Sequence, residues 1–252
     1  MAVANVLENV LFVAADTARS RAYAQAMLQA GLLPAHALLL CAPDALSKYG
    51  TAMPGSTNAP LPPAEACGLR FAPAEPVAQT LASAGVPATL VASTDMNGPE
   101  VASALRARPE SIAIFSGPGG VILRAGVLGL GKSFLHAHGG WLPDYKGSTT
   151  NYYSLLEQGE CGASAILMTG DVDSGPILAR RRFPRPQEPE ALDYVLDPLF
   201  RARVLLDALE RLEREGHADF READNTGGRT FYIMHPVLRH LAILGGGKKP
   251  CA

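Results

Sequence analysis

The sequence predicts an α/β protein in which helices flank a mostly parallel, twisted sheet. An apolar segment at 9–15 is typical of a buried strand; a helical segment follows, and Gly31 ends that helix before a second apolar strand from His36. Such a β–α–β opening pairs its strands in parallel through a right-handed crossover. Three later apolar segments alternate with helices in the same way, at 88–92, 111–116 and 133–138.

Cap residues indicate where the helices of this first half begin. Asp16 or Thr17 caps the first helix. A short second helix is predicted over 76–84, and a third over 99–107 with Asn97 as its cap. The first strand is not followed by the G-x-G-x-x-G loop, so a nicotinamide dinucleotide is not an expected ligand.

The stretch from Pro43 to Pro76 holds seven prolines and shows little periodicity. It is too long for an ordinary connection between two elements. Two interpretations remain open, a functional loop over a binding site and a mobile surface excursion.

An edge strand, a long helix and an apolar tail are predicted for the last third of the chain. The strand covers 176–183, and its three arginines at 180–182 form either a solvated basic face or an anion contact. Apolar residues recur with helical period over 192–215, where Pro198 either kinks the helix or marks its start. The apolar tail covers 229–244.

The composition argues against several functional classes. The 252 residues are 48% hydrophobic and 18% charged with a net charge of −2, which gives no basic surface for nucleic acid. No apolar run reaches the roughly 18 residues of a membrane span, and the N-terminus carries no secretory signal, so a cytoplasmic protein is expected. The four cysteines are scattered without a C-x-x-C pair and are interpreted as reduced structural thiols.

Two histidines and an aspartate form the candidate chemical centre. His136 and His138 lie two residues apart on a predicted strand, so their side chains share a face, and Asp173 follows in the turn DVDSGP. A carboxylate beside an imidazole fixes its tautomer and raises its basicity. Spacing alone leaves three interpretations: unrelated structural residues, a metal site completed by Asp171 or Asp173, and metal-free acyl transfer with a histidine as base.

The longer motif around these residues resembles one protein family. HAHGGWLPDYKGSTTNYYSLLEQGE, followed by DVDSGPIL, is similar to the signature of the folate-dependent formyltransferases, Asn-x-His-x-Ser-Leu-Leu-Pro-x-Tyr-x-Gly, a helix, a strand and then Asp-x-Gly. The resemblance covers roughly residues 110–180 and implies a Rossmann-like formyltransferase fold. It is to the catalytic domain of methionyl-tRNA formyltransferases, and in type closest to sugar N-formyltransferases. We therefore divide the chain into a catalytic domain at 1–184 and a C-terminal extension at 185–252, which packs on the core or forms an oligomer interface.

The resemblance implies catalytic roles for the same three residues. By position, His138 takes the role of the catalytic histidine that accepts a proton, and Asp173 that of the aspartate that orients it. His136 stands where the family has asparagine and is expected to steady the oxyanion. The family's proline and serine after the histidine are Gly139 and Gly140 here. No metal is expected in this mechanism.

The resemblance also implies a site for 10-formyltetrahydrofolate as the formyl donor. Main-chain groups at strand ends suit the flat, polar edge of its pterin. The expected donor-binding residues are Ser116, Gly117, Pro118, Gly119, Gly120, Val121, Ile122, Leu123, Gly170 and Asp171. The expected acceptor-binding residues are Lys146, Gly147, Ser148 and Thr149.

The implied reaction is formyl transfer to a primary amine, carried by a nucleotide-linked amino sugar or by a precursor of secondary metabolism. The expected partner is this small molecule, with no nucleic acid and no membrane, and a homodimer is a further expectation. Two alternatives stay open. One is a metal-dependent hydrolase built on His136, His138 and Asp173, and the other is a formyltransferase-like protein without turnover.

Overall fold

A seven-stranded sheet forms the centre of the protein. The computed structural model describes residues 5–42, 62–216, 218 and 221–245. Its strands are β1 (Asn5–Ala15), β2 (Leu32–Leu40), β3 (Ala64–Ala66), β4 (Leu69–Phe71), β5 (Ala88–Val91), β6 (Ile112–Ser116), β7 (Ser133–His138), β8 (Tyr145–Gly147), β9 (Glu160–Leu167), β10 (Ile177–Pro184) and β11 (Arg229–Phe231). The large sheet has the order β10-β9-β7-β6-β1-β2-β5, and within it β9 alone runs against the others. The predicted α/β class with a mostly parallel sheet is confirmed.

Helices cover both faces of this sheet. They are α1 (Ala18–Ala30), α2 (Val77–Ser83), α3 (Pro99–Arg106), α4 (Ala125–Leu128), α5 (Thr150–Glu157), α6 (Asp197–Glu215) and α7 (Pro236–Leu244). Because side chains alternate along a strand, Phe12 of β1 enters one hydrophobic core with α1 and α6, whereas Leu11 and Val13 enter a second core with α3. Burial on both faces explains why the central strands are apolar throughout instead of alternating.

The elements of the first half follow the predictions with shifts at their ends. β7 has the predicted bounds, while β1 starts at Asn5, four residues before the predicted strand. Thr17 is the cap of α1, with its side chain accepting a hydrogen bond from the amide of Ser20. The cap of α3 is Gly98, so the prediction of Asn97 was wrong. The side chain of Asn97 instead forms hydrogen bonds with the main chain of Ile122 and Arg124.

The proline-rich stretch contains more structure than its sequence indicates. Residues 43–61 lie outside the described part of the chain, so the two interpretations of that loop stay predictions. The remainder holds the short hairpin of β3 and β4, which was not predicted. Gln25 and Gln29 on α1 pair with the main chain of Ala72 and Arg70 as a neighbouring strand would. These two helix side chains thus form the hydrogen bonds that a further strand beside the hairpin would form.

The C-terminal part contributes a helix to the core and a short strand beside the motif region. The regular part of α6 begins at Asp197, after a π-helical turn at Leu192–Leu196, so Pro198 lies in the first turn and does not kink the helix. β11 pairs in parallel with β8 and does not extend the main sheet. None of the helices in the described residues is long and apolar enough to cross a membrane.

Candidate active site

A cleft of about 490 Å³ opens where β6 and β7 end. The strand order reverses between β1 and β6. From β1 the chain first adds β2 and β5 on one side, and it then returns to add β6 and β7 on the other side. Ligands of open α/β sheets bind at such a switch point, outside the carboxyl ends of the strands. The sequence motif and the topology therefore point to the same place.

The glycine-rich loop after β6 forms one wall of the cleft, with residues 118–123 lining it. Ser116 and Gly117, which were also expected to bind the donor, lie behind this wall. The Ser116 hydroxyl is fully buried against Ser20, and the Gly117 carbonyl accepts a hydrogen bond of 2.5 Å from Arg19. Asn97 fastens the far end of the loop through hydrogen bonds with the Ile122 carbonyl and the Arg124 amide.

The loop after β9 forms the opposite wall, where Gly170, Asp171 and Asp173 line the cleft as expected. Of the expected acceptor-binding residues, Gly147, Ser148 and Thr149 also line it. Lys146 is not brought to the cleft. Its buried ammonium group donates to the Ser174 hydroxyl at 3.2 Å and to the Asn225 carbonyl at 3.1 Å, so it supports the Asp173 loop from behind.

The imidazole of His138 is held between two acceptors. Its Nε2 lies 2.7 Å from the carbonyl oxygen of Tyr145, and its Nδ1 lies 3.3 Å from Oδ2 of Asp173. A separation of 2.7 Å from a carbonyl oxygen requires the proton on Nε2, since two lone pairs would repel at that distance. In the neutral ring, Nδ1 then carries the lone pair and faces Asp173. A Cβ at Gly140 would lie 2.6 Å from Nε2, so this close approach needs glycine.

Asp173 is fixed in a backbone conformation that residues other than glycine rarely adopt, with a φ of 50°. Asn225 secures it from the C-terminal segment, because its Nδ2 donates to the carbonyls of Asp173 at 2.9 Å and Gly175 at 2.6 Å. Oδ2 of Asp173 also accepts a hydrogen bond of 2.8 Å from the amide of Gly147. These contacts aim the carboxylate at His138.

His136 lies two residues before His138 and differs from it in environment. Its ring is tilted against Phe115 with centroids 5.8 Å apart, and among the described residues its buried Nδ1 has no hydrogen-bond partner. Burial, followed by the positive charges of Arg19 and Arg201, holds the pKa of His136 well below its usual 6.5. The ring is therefore neutral at physiological pH and offers one N–H and one lone pair.

Two arginines in the cleft were missed by the sequence analysis. Arg19 comes from α1 and Arg201 from α6, and both line the cleft. Arg19 donates to the Ser116 hydroxyl and the Gly117 carbonyl, and Arg201 donates to Asp197 at 2.6 Å and to the Ala137 carbonyl at 3.1 Å. A guanidinium has five N–H groups, so these hydrogen bonds leave further donors on each residue for a ligand.

The glycine pair after His138 is the signal that could have revealed Arg201. A Cβ at Gly139 would lie 2.2 Å from Oδ1 of Asp197 and 2.5 Å from Nη2 of Arg201, so this ion pair fills the space that the family's proline would take. The three consecutive arginines, in contrast, lie outside the cleft. Arg180 and Arg182 stack over Trp141, and Arg181 pairs with Asp207. None of the three lines the cleft, and an anion contact elsewhere stays a prediction.

The segment after β11 closes the remaining side of the cleft through Thr230, Phe231 and Tyr232. Gly147 permits the close pairing of β8 with β11, since a Cβ there would collide with the Phe231 carbonyl, and its φ of 94° also favours glycine. Residues on both sides of position 184 therefore build one cleft.

Comparison with known proteins identifies relatives of one kind. No protein-family model matches the chain. A methionyl-tRNA formyltransferase from Rhodopirellula baltica is 31% identical over 126 residues, which are 50% of this chain and 36% of that protein. This chain therefore matches little more than a third of the relative's length.

Solved structures share the fold at lower identity. HypX from Aquifex aeolicus in complex with tetrahydrofolic acid superposes with a TM-score of 0.56 at 13% identity, over 95% of this chain and 35% of that one. A sugar N-formyltransferase from a Shewanella species gives a TM-score of 0.54 at 13% identity, over 93% of this chain and 86% of that one.

The fold is the one that these solved structures share. Over half of its length the chain is also similar in sequence to a methionyl-tRNA formyltransferase. Both likenesses agree with the resemblance to folate-dependent formyltransferases seen in the motif.

Proposed function

We propose that this protein transfers a formyl group from 10-formyltetrahydrofolate to a primary amine. The observation that carries the proposal is the pairing of His138 with Asp173 in a cleft between two open loops. A base, a carboxylate beside it and a neutral hydrogen-bond donor on the same strand are the groups that acyl transfer to an amine requires.

The donor site in this proposal is formed by the two loop walls. Gly119, Gly120 and Gly170 are open, because a Cβ added to any of them meets no atom within 4 Å. Their main-chain groups can therefore approach the edge of a flat heterocycle closely. The donor supplies an activated formyl group on nitrogen, and the chain's own residues supply orientation and proton transfer.

The proton transfer follows from the tautomer of His138. Nε2–H stays on the Tyr145 carbonyl, so the Nδ1 lone pair accepts the proton of the attacking amine, and Asp173 stabilises the imidazolium that results. The N–H of neutral His136 steadies the negative charge on the formyl oxygen. A bond forms between the amine and the formyl carbon, the bond from that carbon to the donor nitrogen breaks, and the proton on His138 passes to that nitrogen. General base catalysis of this kind contributes about 10²–10⁴ in rate.

The acceptor in this proposal carries a negative charge near its amine. Arg19 and Arg201 place two guanidinium groups on the cleft, and charge-assisted hydrogen bonds to an anion are about twice as strong as neutral ones. A nucleotide-linked amino sugar combines a primary amine with a diphosphate and meets this description. We therefore propose such an anionic amine as the acceptor class.

Calorimetric titration of the protein with 5-formyltetrahydrofolate, a stable analogue of the donor, tests the first step. We expect micromolar binding by the wild-type protein and its loss in Gly119→Trp, because the indole would fill the cleft. Gly126→Trp is the matched control: this exposed glycine lies in α4, outside the cleft, and a Cβ there also meets no atom within 4 Å. Equal binding by the two variants, or none by the wild-type protein, would overturn the proposed donor site.

A further inference from the structure

We propose that His136, His138 and Asp173 also form a binding site for one divalent transition-metal ion of the zinc type. One ligand atom from each of the three residues lies within 4.8 Å of the other two. Two imidazoles and a carboxylate are a common ligand set for such ions. The site uses the same side chains as the proposed formyl transfer, and its test by metal binding stands apart from that activity.

The contact between His138 and Asp173 contains no hydrogen bond when the imidazole is neutral. Since Nε2 of His138 holds its proton against the Tyr145 carbonyl, the neutral ring turns a lone pair toward Oδ2 of Asp173 at 3.3 Å. Two acceptors at that distance need a cation between them, which is either a proton on Nδ1 or a metal ion. Donation of the second ring N–H to a carbonyl is also the arrangement that orients metal-bound histidines.

The distance between Nδ1 of His138 and Oδ2 of Asp173 also fits a tetrahedral metal ion. Nitrogen and oxygen ligands at about 2.0–2.1 Å from a tetrahedral ion lie about 3.3–3.4 Å apart. The separation of Nδ1 of His138 from Oδ2 of Asp173 already has this value, whereas a charge-assisted hydrogen bond is usually shorter, at about 2.7–2.9 Å. The ligand atom of His136 lies within 4.8 Å of these two atoms.

His136 completes the ligand set. Its buried Nδ1 lacks a hydrogen-bond partner among the described residues, which leaves a polar atom that the protein does not satisfy. An asparagine at this position would supply no comparable nitrogen lone pair.

The neighbouring charges determine what else such an ion would hold. Arg201 is paired with Asp197, whereas Arg19 forms its hydrogen bonds with neutral oxygens, so the surroundings of the ion keep a positive charge. The three protein ligands leave at least one coordination position open. We infer that an anion occupies that position and that the metal-bound state is inactive in formyl transfer, because the metal takes the Nδ1 lone pair.

Cobalt(II) titration of the chelator-treated full chain tests this site, because four-coordinate cobalt absorbs visible light. We expect saturation at one ion per chain, with zinc displacing the cobalt. His136→Asn removes one ligand and is expected to weaken the affinity about 100-fold or more. His240→Asn, on the exposed α7, is the matched control and should bind as the wild-type protein does.

Two results would overturn the proposal. One is the lack of saturable cobalt absorption at millimolar ion concentrations, and the other is equal affinity in His136→Asn and His240→Asn. A sulfur-to-cobalt charge-transfer band would assign the ion to a cysteine and also exclude this site. Circular dichroism of each variant separates lost binding from lost folding. Failure of the folate titration with an intact cobalt site would reject the proposed formyl transfer and leave the metal site standing.

Discussion

The two sides of the cleft are built in different ways. The motif side, which comprises residues 118–123, His138 and the loop with Asp173, is positioned by hydrogen bonds to the main chain. The charged side consists of Arg19 of α1 and Arg201 of α6, which lie about 180 positions apart in the chain. We infer that the motif side holds fixed geometry for a reaction, whereas the charged side selects the ligand.

The largest effect is expected from the motif side. His138→Ala removes the proton acceptor, so we expect formyl transfer to an amine to fall about 10²–10⁴-fold. Binding of the donor analogue should change little, because the two loop walls remain. Transfer is measured by release of deformylated folate, with His240→Ala as control. Activity within tenfold of the wild-type value would remove His138 from the mechanism.

A smaller effect, on substrate affinity, is expected from the charged side. Arg19→Gln deletes one cationic partner of an anionic acceptor, and a charged hydrogen bond contributes about 1.5–3 kcal/mol. The KM for such an acceptor should rise roughly tenfold to hundredfold with kcat nearly unchanged. The KM for an uncharged amine should stay constant. If both amines respond alike, the two sides do not divide chemistry and selection as inferred.

The supports of the two loop walls should differ in their contribution to stability. Asn225→Ala removes two hydrogen bonds from a buried side chain and leaves the carbonyls of Asp173 and Gly175 unpaired, which costs about 1–3 kcal/mol. Asn97→Ala removes two exposed hydrogen bonds from the glycine-rich loop, and a loss of about 0.5–1.5 kcal/mol is expected. Urea unfolding measures both. The reverse order would show that the glycine-rich loop is the more firmly held wall.

Stability should also depend on pH. His136 is neutral in the folded protein, so between its depressed folded pKa and about 6.5 the unfolded chain binds a proton that the folded chain does not. The free energy of unfolding should therefore rise with pH in this window, by about 1.4 kcal/mol per unit from this group.

His136→Asn should remove the contribution of this group to the increase of the free energy of unfolding with pH. The share of His36 would remain, because burial lowers the pKa of that histidine as well. Urea unfolding at pH 5.5 and 6.5 compares the two proteins. An identical slope in both would mean that His136 is charged in the fold.

Local features of the structure could be predicted from the sequence, and contacts distant in sequence could not. The bounds of β7 and the start of α6 at Asp197 follow from short-range patterns and from Pro198. The α/β class follows from the alternation of strands and helices. The hairpin of β3 and β4 was missed because its partner is a row of helix side chains, which leaves no periodic signal in the strands themselves.

Part of the site was likewise within reach of the sequence. The motif brought His136, His138 and Asp173 together, as the structure does. Arg201 was not assigned, since it lies on a helix whose charged residues resemble an ordinary solvent face. Lys146 was placed wrongly in the cleft because a strand position fixes which face a side chain takes but not which loop covers that face.

The close approach of Arg201 to Gly139 couples these two positions in evolution. A Cβ at 139 would lie 2.2 Å from Oδ1 of Asp197 and 2.5 Å from Nη2 of Arg201, so any side chain there collides with both members of this ion pair. Loss of the guanidinium alone does not make room, and it leaves Asp197 with less of its charge balanced. Laboratory selection for a side chain at 139 would therefore have to change the glycine and the whole ion pair together.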